Sequence, residues 1–114
     1  MPNYYYTSTG ERITDATIKA RLSKAYRERY GGEPHPRCEE TGLPAQGSSH
    51  IVSQARCKQL HKSEMIYNPR NFFPATHQVN SRWESNDVTL RNYWTYMDVV
   101  KEIDPEGYQK RINL

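Results

Sequence analysis

The chain has 114 residues, of which 35% are hydrophobic, and a formal charge of +3. That length gives one domain with one modest core, and the nine Tyr, two Trp and two Phe argue against a disordered chain, because each ring buries a large area. No apolar run of about 18 residues exists, which excludes a membrane-spanning helix.

The mean hydropathy is −1.00 and the isoelectric point about 8.9. Such polarity predicts a small core roofed by amphipathic Tyr rings. The charge is mildly basic, so its placement matters more than its sum. The opening MPNYYYTSTGER lacks the basic and apolar parts of an export signal. Cys38 and Cys57 are therefore expected to be reduced thiols in an intracellular, cytoplasmic setting.

In chain order, residues 1–12 form a polar arm in which Tyr4, Tyr5 and Tyr6 make an edge strand or an ordered extension. A basic helical segment follows at 13–32. Ile18, Leu22, Ala25 and Tyr26 fall on one face, predicting a helix over 14–30 capped by Thr14 or Asp15. Gly31-Gly32 stop it through a left-handed turn. Lys19, Arg21, Lys24, Arg27 and Arg29 lie off the apolar stripe. They either solvate the helix or contact phosphates.

Residues 33–47 are rich in Pro and Gly and predict a loop. Cys38-Glu39-Glu40 and Ser49-His50-Ile51-Val52 are expected to pair as two short strands. A short helix is predicted at 53–62. Pro69 and Pro74 rule out regular helix across NPRNFFP. Another short helix is predicted at 75–84. The last long one spans 87–103, capped by Asp87, with Leu90, Trp94 and Met97 on one face. Asp104-Pro105 ends it, and 106–114 is a polar tail with Tyr108, Ile112 and Leu114 as docking residues.

Three residues carry the chemical signal: His50 in SSHIVS, Asn71 in NPRNFFPA and Asn80 in THQVNSRWES. Asn71 and Asn80 are nine apart, Pro74 follows the first by three, and CEETGLP precedes the His segment. Over about 45 residues this order resembles the HNH (ββα-metal, His-Me finger) endonuclease family in a His-Asn-Asn variant of phage or bacterial type. The resemblance implies an α+β fold: a ββα-metal core at 36–84, the N-terminal basic helix, and a C-terminal helix and tail at 87–114, all in one domain. It also implies a bacterial cell or a phage-infected host.

By that resemblance His50 is the general base. A neutral imidazole titrating near the working pH suits the task. Asn71 ties the loop to the hairpin, and Asn80 holds a divalent ion, Mg²⁺ or Mn²⁺, through its amide oxygen. Ser49 stands where the family has Asp or His, so the metal site lacks a carboxylate and is weak unless another residue, His77 or Glu84, helps. The partner implied is DNA, contacted by Lys19, Arg21, Lys24, Arg27, Arg70 and Arg82, and the activity is endonuclease or nickase. The rival is a catalytically degenerate fold that binds DNA or inhibits a protein, which Ser49 favours. RNA binding through Tyr stacking is a weaker third reading. His35, Cys38, Cys57 and His61 include no CxxC knuckle, so structural zinc is not expected.

Overall fold

A computed structural model describes residues 3–31 and 36–113. The chain is α+β, with two small antiparallel sheets and five helices among the described residues. None of these helices is long and apolar enough to cross a membrane.

The Tyr arm is a strand, β1 (Tyr4–Tyr6), paired with β2 (Arg12–Thr14). Helix α1 (Asp15–Tyr30) follows at once, with the Thr14 side chain accepting from the Thr17 amide. Ile18 is buried and Leu22 packs against the core. The helix stops at Gly31, which itself has φ 3 and ψ 121 and is not left-handed. Gly32 and His35 fall outside the described residues.

Strand β3 (Gly47–His50) pairs with β4 (Phe72–Ala75), in the register Ser49–Phe73 and His50–Phe72. The expected pairing of 38–40 with 49–52 is therefore corrected. The CEETG segment curls into a turn instead: the Gly42 amide donates to the Cys38 carbonyl, and the Cys38 amide to that of Leu43. Gly42 has φ 74, which glycine adopts without strain. Glu39 then donates to the Pro74 carbonyl from outside β4. Pro74 lies within β4, which belongs to a two-stranded sheet, where a missing ladder N–H is tolerated.

Between the strands run α2 (Gln54–Gln59), capped by Ser53, and two 3-10 turns at Ser63–Tyr67 and Pro69–Asn71. Helix α3 (His77–Glu84), capped by Thr76, follows β4 directly. Helix α4 (Tyr93–Ile103) begins six residues later than 87–103 predicts. Asp87 caps a turn instead, accepting from the Thr89 amide and hydroxyl. The buried face of α4 is Tyr93, Tyr96, Met97, Val100 and Ile103, whereas Trp94 is 62% exposed. The expected polar tail is also a helix, α5 (Pro105–Ile112). Asp104 caps it through the Gly107 amide, and Pro105 sits at its first turn, where its missing N–H costs nothing.

One hydrophobic cluster joins these parts. Phe73 of β4 stacks on Tyr96 of α4 with ring centroids 4.4 Å apart, and Trp83 of α3 meets Tyr96 edge-on at 5.4 Å. Aromatic pairs of this kind add about 0.5–1.5 kcal/mol beyond area burial. They fix α3 and α4 against the β3–β4 hairpin. Tyr93 and Tyr96 are thus core residues rather than a roof over it.

Candidate active site

The 21 residues between β3 and β4 must be held at their base if the end of β3 is to be positioned. Asn71 does this while 0% exposed. Its Oδ1 accepts from the Val52 amide at 2.8 Å, and its Nδ2 donates to the Val52 and Met65 carbonyls at 3.0 Å each. The Ile51 amide donates to the Asn71 carbonyl at 2.8 Å. Trp83 Nε1 donates to the Ile51 carbonyl at 3.0 Å, tying α3 to the same turn. A buried amide with its polar atoms paired in this way rigidifies its surroundings.

This frame brings His50, at the end of β3, and Asn80, in the middle of α3, to one cleft of about 280 Å³. Ser48, Ile51, Ser53, Gln54, Trp83, Glu84 and Arg111 complete its lining. His50 Nε2 lies 2.8 Å from the Ile66 carbonyl. A carbonyl only accepts, so Nε2 carries the proton and Nδ1 is the basic nitrogen of the neutral ring. Burial pulls the pKa of His50 below its ordinary value, and the bond to Ile66 only partly offsets this. The imidazole is therefore neutral at physiological pH and able to accept a proton.

Ser49 is 1% exposed, and its hydroxyl donates to Asn80 Oδ1 at 2.6 Å. Asn80 Nδ2 donates in turn to Glu84 Oε1 at 3.2 Å. Ser49, Asn80 and Glu84 thus form one chain of oxygen-bearing side chains, with Asn80 and Glu84 in the cleft lining and Ser49 buried behind them, outside it. Its chemistry suits a hard divalent ion held by few protein ligands, as Mg²⁺ commonly is beside a substrate phosphate. Glu84 provides the carboxylate that Ser49 does not. His77 does not join the cleft lining: it is exposed in the first turn of α3, and its amide donates to Gln46 Oε1. Among the described residues no group of three or more His, Cys, Asp and Glu is placed to hold a metal. Cys38 and Cys57 are both free and buried, and burial pushes the Cys57 thiol up to about 12. His61 is exposed.

The six basic residues expected to meet DNA divide into two groups. Arg21 is bound to Glu11 at 2.9 Å and to the Tyr67 hydroxyl at 2.9 Å. Arg70 pairs with Glu102 through Nη1 at 2.9 Å, and Arg82 with Asp87 at 2.7 Å. Thr89 and Arg82 hold the Asp87 carboxyl down at about 2. Lys24 reaches Glu28 only at 3.9 Å, with both side chains about two-thirds exposed. Lys19 and Arg27 are exposed and have no ion-pair partner among the described residues.

Arg111 of α5 is the cleft residue that the sequence did not bring forward. Its guanidinium carbon lies 3.8 Å from the centroid of the Trp83 ring. Nη1 donates to the Trp83 carbonyl at 3.0 Å and to Asn86 Oδ1 at 3.3 Å. Burial lowers its pKa from the ordinary arginine value. The one signal that could have found it was the helix start hidden in Asp104-Pro105, an N-cap followed by an N1 proline. Comparison of the chain with protein-family models, with curated proteins and with solved structures finds no match.

Proposed function

We propose that this protein is a metal-dependent DNA endonuclease or nickase of the HNH type, with β3, β4 and α3 as its ββα-metal unit. One observation carries the reading. His50 from the end of a strand and Asn80 from the following helix share a cleft, while Asn71 fastens the loop between them. His50 Nδ1 takes the proton of a water molecule as its oxygen attacks the phosphorus. The ester P–O bond on the opposite side breaks, and the departing oxygen is protonated from solvent. The Ile66 carbonyl holds the ring in the tautomer this requires. Asn80 and Glu84, with Ser49 behind them, are the residues that would hold a Mg²⁺ or Mn²⁺ ion. When bound, such an ion supplies charge stabilisation to the phosphate and the leaving oxygen.

The test is incubation of supercoiled plasmid with the protein and Mg²⁺, Mn²⁺ or Ni²⁺, beside an EDTA control. Conversion to open-circular or linear DNA with metal, and none in EDTA, is the expected result. A second reading has its own support. Ser49 Oγ donates to Asn80 Oδ1 at 2.6 Å, so the two neutral oxygens satisfy one another without an ion. In that reading the chain keeps the hairpin and helix as a DNA-binding or protein-inhibiting module, and the plasmid stays intact with every metal.

A further inference from the structure

Arginine carries five N–H donors, and its Nε and Nη2 edge takes a phosphate or carboxylate in a two-pronged grip. Arg21, Arg56, Arg70 and Arg82 each use their charge on a carboxylate of this chain. Arg56 is the sharpest contrast, because it and Arg111 line the same small recess beside α5. Nε and Nη2 of Arg56 grip the Asp104 carboxylate at 2.9 and 3.0 Å. Arg111 has no carboxylate within 4.0 Å among the described residues. Both of its hydrogen bonds leave from Nη1, so Nε and Nη2 donate to no described residue. The Nη1 bonds and the Trp83 ring hold the guanidinium in place. The cost of partly burying this charge is not met by an internal anion, although the cleft it lines also holds His50 and Asn80.

We propose that Arg111 is the phosphate-binding residue of this cleft, gripping a phosphodiester oxygen of the substrate through Nε and Nη2. The proposal rests on the nuclease reading for its substrate, and it makes α5 part of the site. The side chain is pre-positioned, so little rotamer freedom is lost when the phosphate arrives. Ser48 and Ser53 hydroxyls and the Gln54 amide in the same lining are neutral donors for the remaining phosphate and sugar oxygens.

The experiment measures binding of a short DNA duplex in EDTA over a range of salt, for wild type, Arg111→Gln, Arg111→Lys and His50→Ala. Cleavage of plasmid with Mn²⁺ is measured in parallel. Arg111→Gln should bind about tenfold more weakly. Its slope of log K against log salt should be flatter by about 0.9, the signature of one lost phosphate contact. Arg111→Lys should keep the slope and His50→Ala the affinity. Circular dichroism and Trp fluorescence report folding, and a merely destabilised variant does not change its salt slope. If Arg111→Gln keeps the wild-type slope, the proposal is overturned whatever the cleavage assay shows. If wild type binds with the predicted Arg111 dependence but never cuts, the clamp stands and the catalytic reading fails. Absence of duplex binding by wild type overturns the clamp, and the nuclease reading falls with it only where the plasmid also stays intact with Mn²⁺.

Discussion

The base of the long loop and the mouth of the cleft are built from the same residue types under opposite rules. At the base, Asn71 is fully buried and makes three hydrogen bonds to backbone groups. At the mouth, Asn80 is half-buried and bonds only to side chains, Ser49 and Glu84, that another ligand could replace. Arginines repeat the contrast: Arg56 grips Asp104, whereas Arg111 has no carboxylate among the described residues. Groups that satisfy one another hold a shape, and groups with capacity left over can act on something else.

The contrast breaks most visibly at Asn71. Replacing it with Ala leaves the Val52 amide and carbonyl and the Met65 carbonyl without their partner. Each orphaned buried group costs about 1–3 kcal/mol. Urea unfolding of Asn71→Ala should show a loss of about 3 kcal/mol or more, near the whole stability of a small domain. Asn80→Ala, by comparison, should lose under about 1.5 kcal/mol. Equal losses at the two sites would erase the distinction.

Next in size is Gly107. A methyl group there would collide with the Asp104 carboxylate that caps α5 and binds Arg56. Burial alone would raise the Asp104 pKa, but the Arg56 bonds and the Gly107 amide outweigh it and hold the group low. Gly107→Ala should therefore destabilise by about 1–3 kcal/mol even though alanine favours helix. A midpoint in thermal unfolding at or above that of wild type would mean the carboxylate can move aside freely.

Ser49→Asp sharpens the cleft side. The new carboxylate would be buried beside Asn80 Oδ1, an acceptor, in place of a donor hydroxyl. Without metal the variant should unfold at a lower temperature than wild type. With millimolar Mg²⁺ or Mn²⁺ it should recover more than wild type gains, because a charged hard ligand has been added. A variant indifferent to metal would place the ion elsewhere.

The smallest effect concerns pH. His50 is held below its ordinary value of 6.5 by burial, so the unfolded chain takes up a proton there more readily than the folded one. Its contribution to stability is complete above about pH 6.5 and is lost as the pH falls below that value. Cleavage should run in the same direction, level above the folded pKa and falling in acid as Nδ1 is protonated. A cleavage optimum in acid would contradict the general-base role.

Much of this arrangement was legible in the residues because local rules decided it. Thr14, Ser53 and Thr76 cap helices through their own side chains, and the spacing of His50, Asn71 and Asn80 survived folding as one cleft and its support. The misses have physical causes. Strand β4 was hidden because Pro74 and the two phenylalanines look like loop and core, and only pairing with β3 makes them a strand. Leu90, Trp94 and Met97 share a helical spacing, but the helix starts at Tyr93, so Trp94 turns outward. Asp104-Pro105 reads as a stop although it is equally a start, and α5 with its Arg111 is hidden behind that ambiguity. Charge alone could not tell Arg21, Arg70 and Arg82, bound to carboxylates, from Lys19 and Arg27.

The most direct measurement compares wild type and His50→Ala in nicking supercoiled plasmid with Mn²⁺ at pH 7.5, with duplex binding and unfolding recorded on the same samples. The account predicts metal-dependent nicking by wild type. In the variant the rate should fall by about 10²–10⁴, with duplex affinity unchanged and stability lower by about 1–3 kcal/mol for the Ile66 carbonyl left without its partner. Nicking by His50→Ala at the wild-type rate would contradict the assignment of this cleft as the catalytic one.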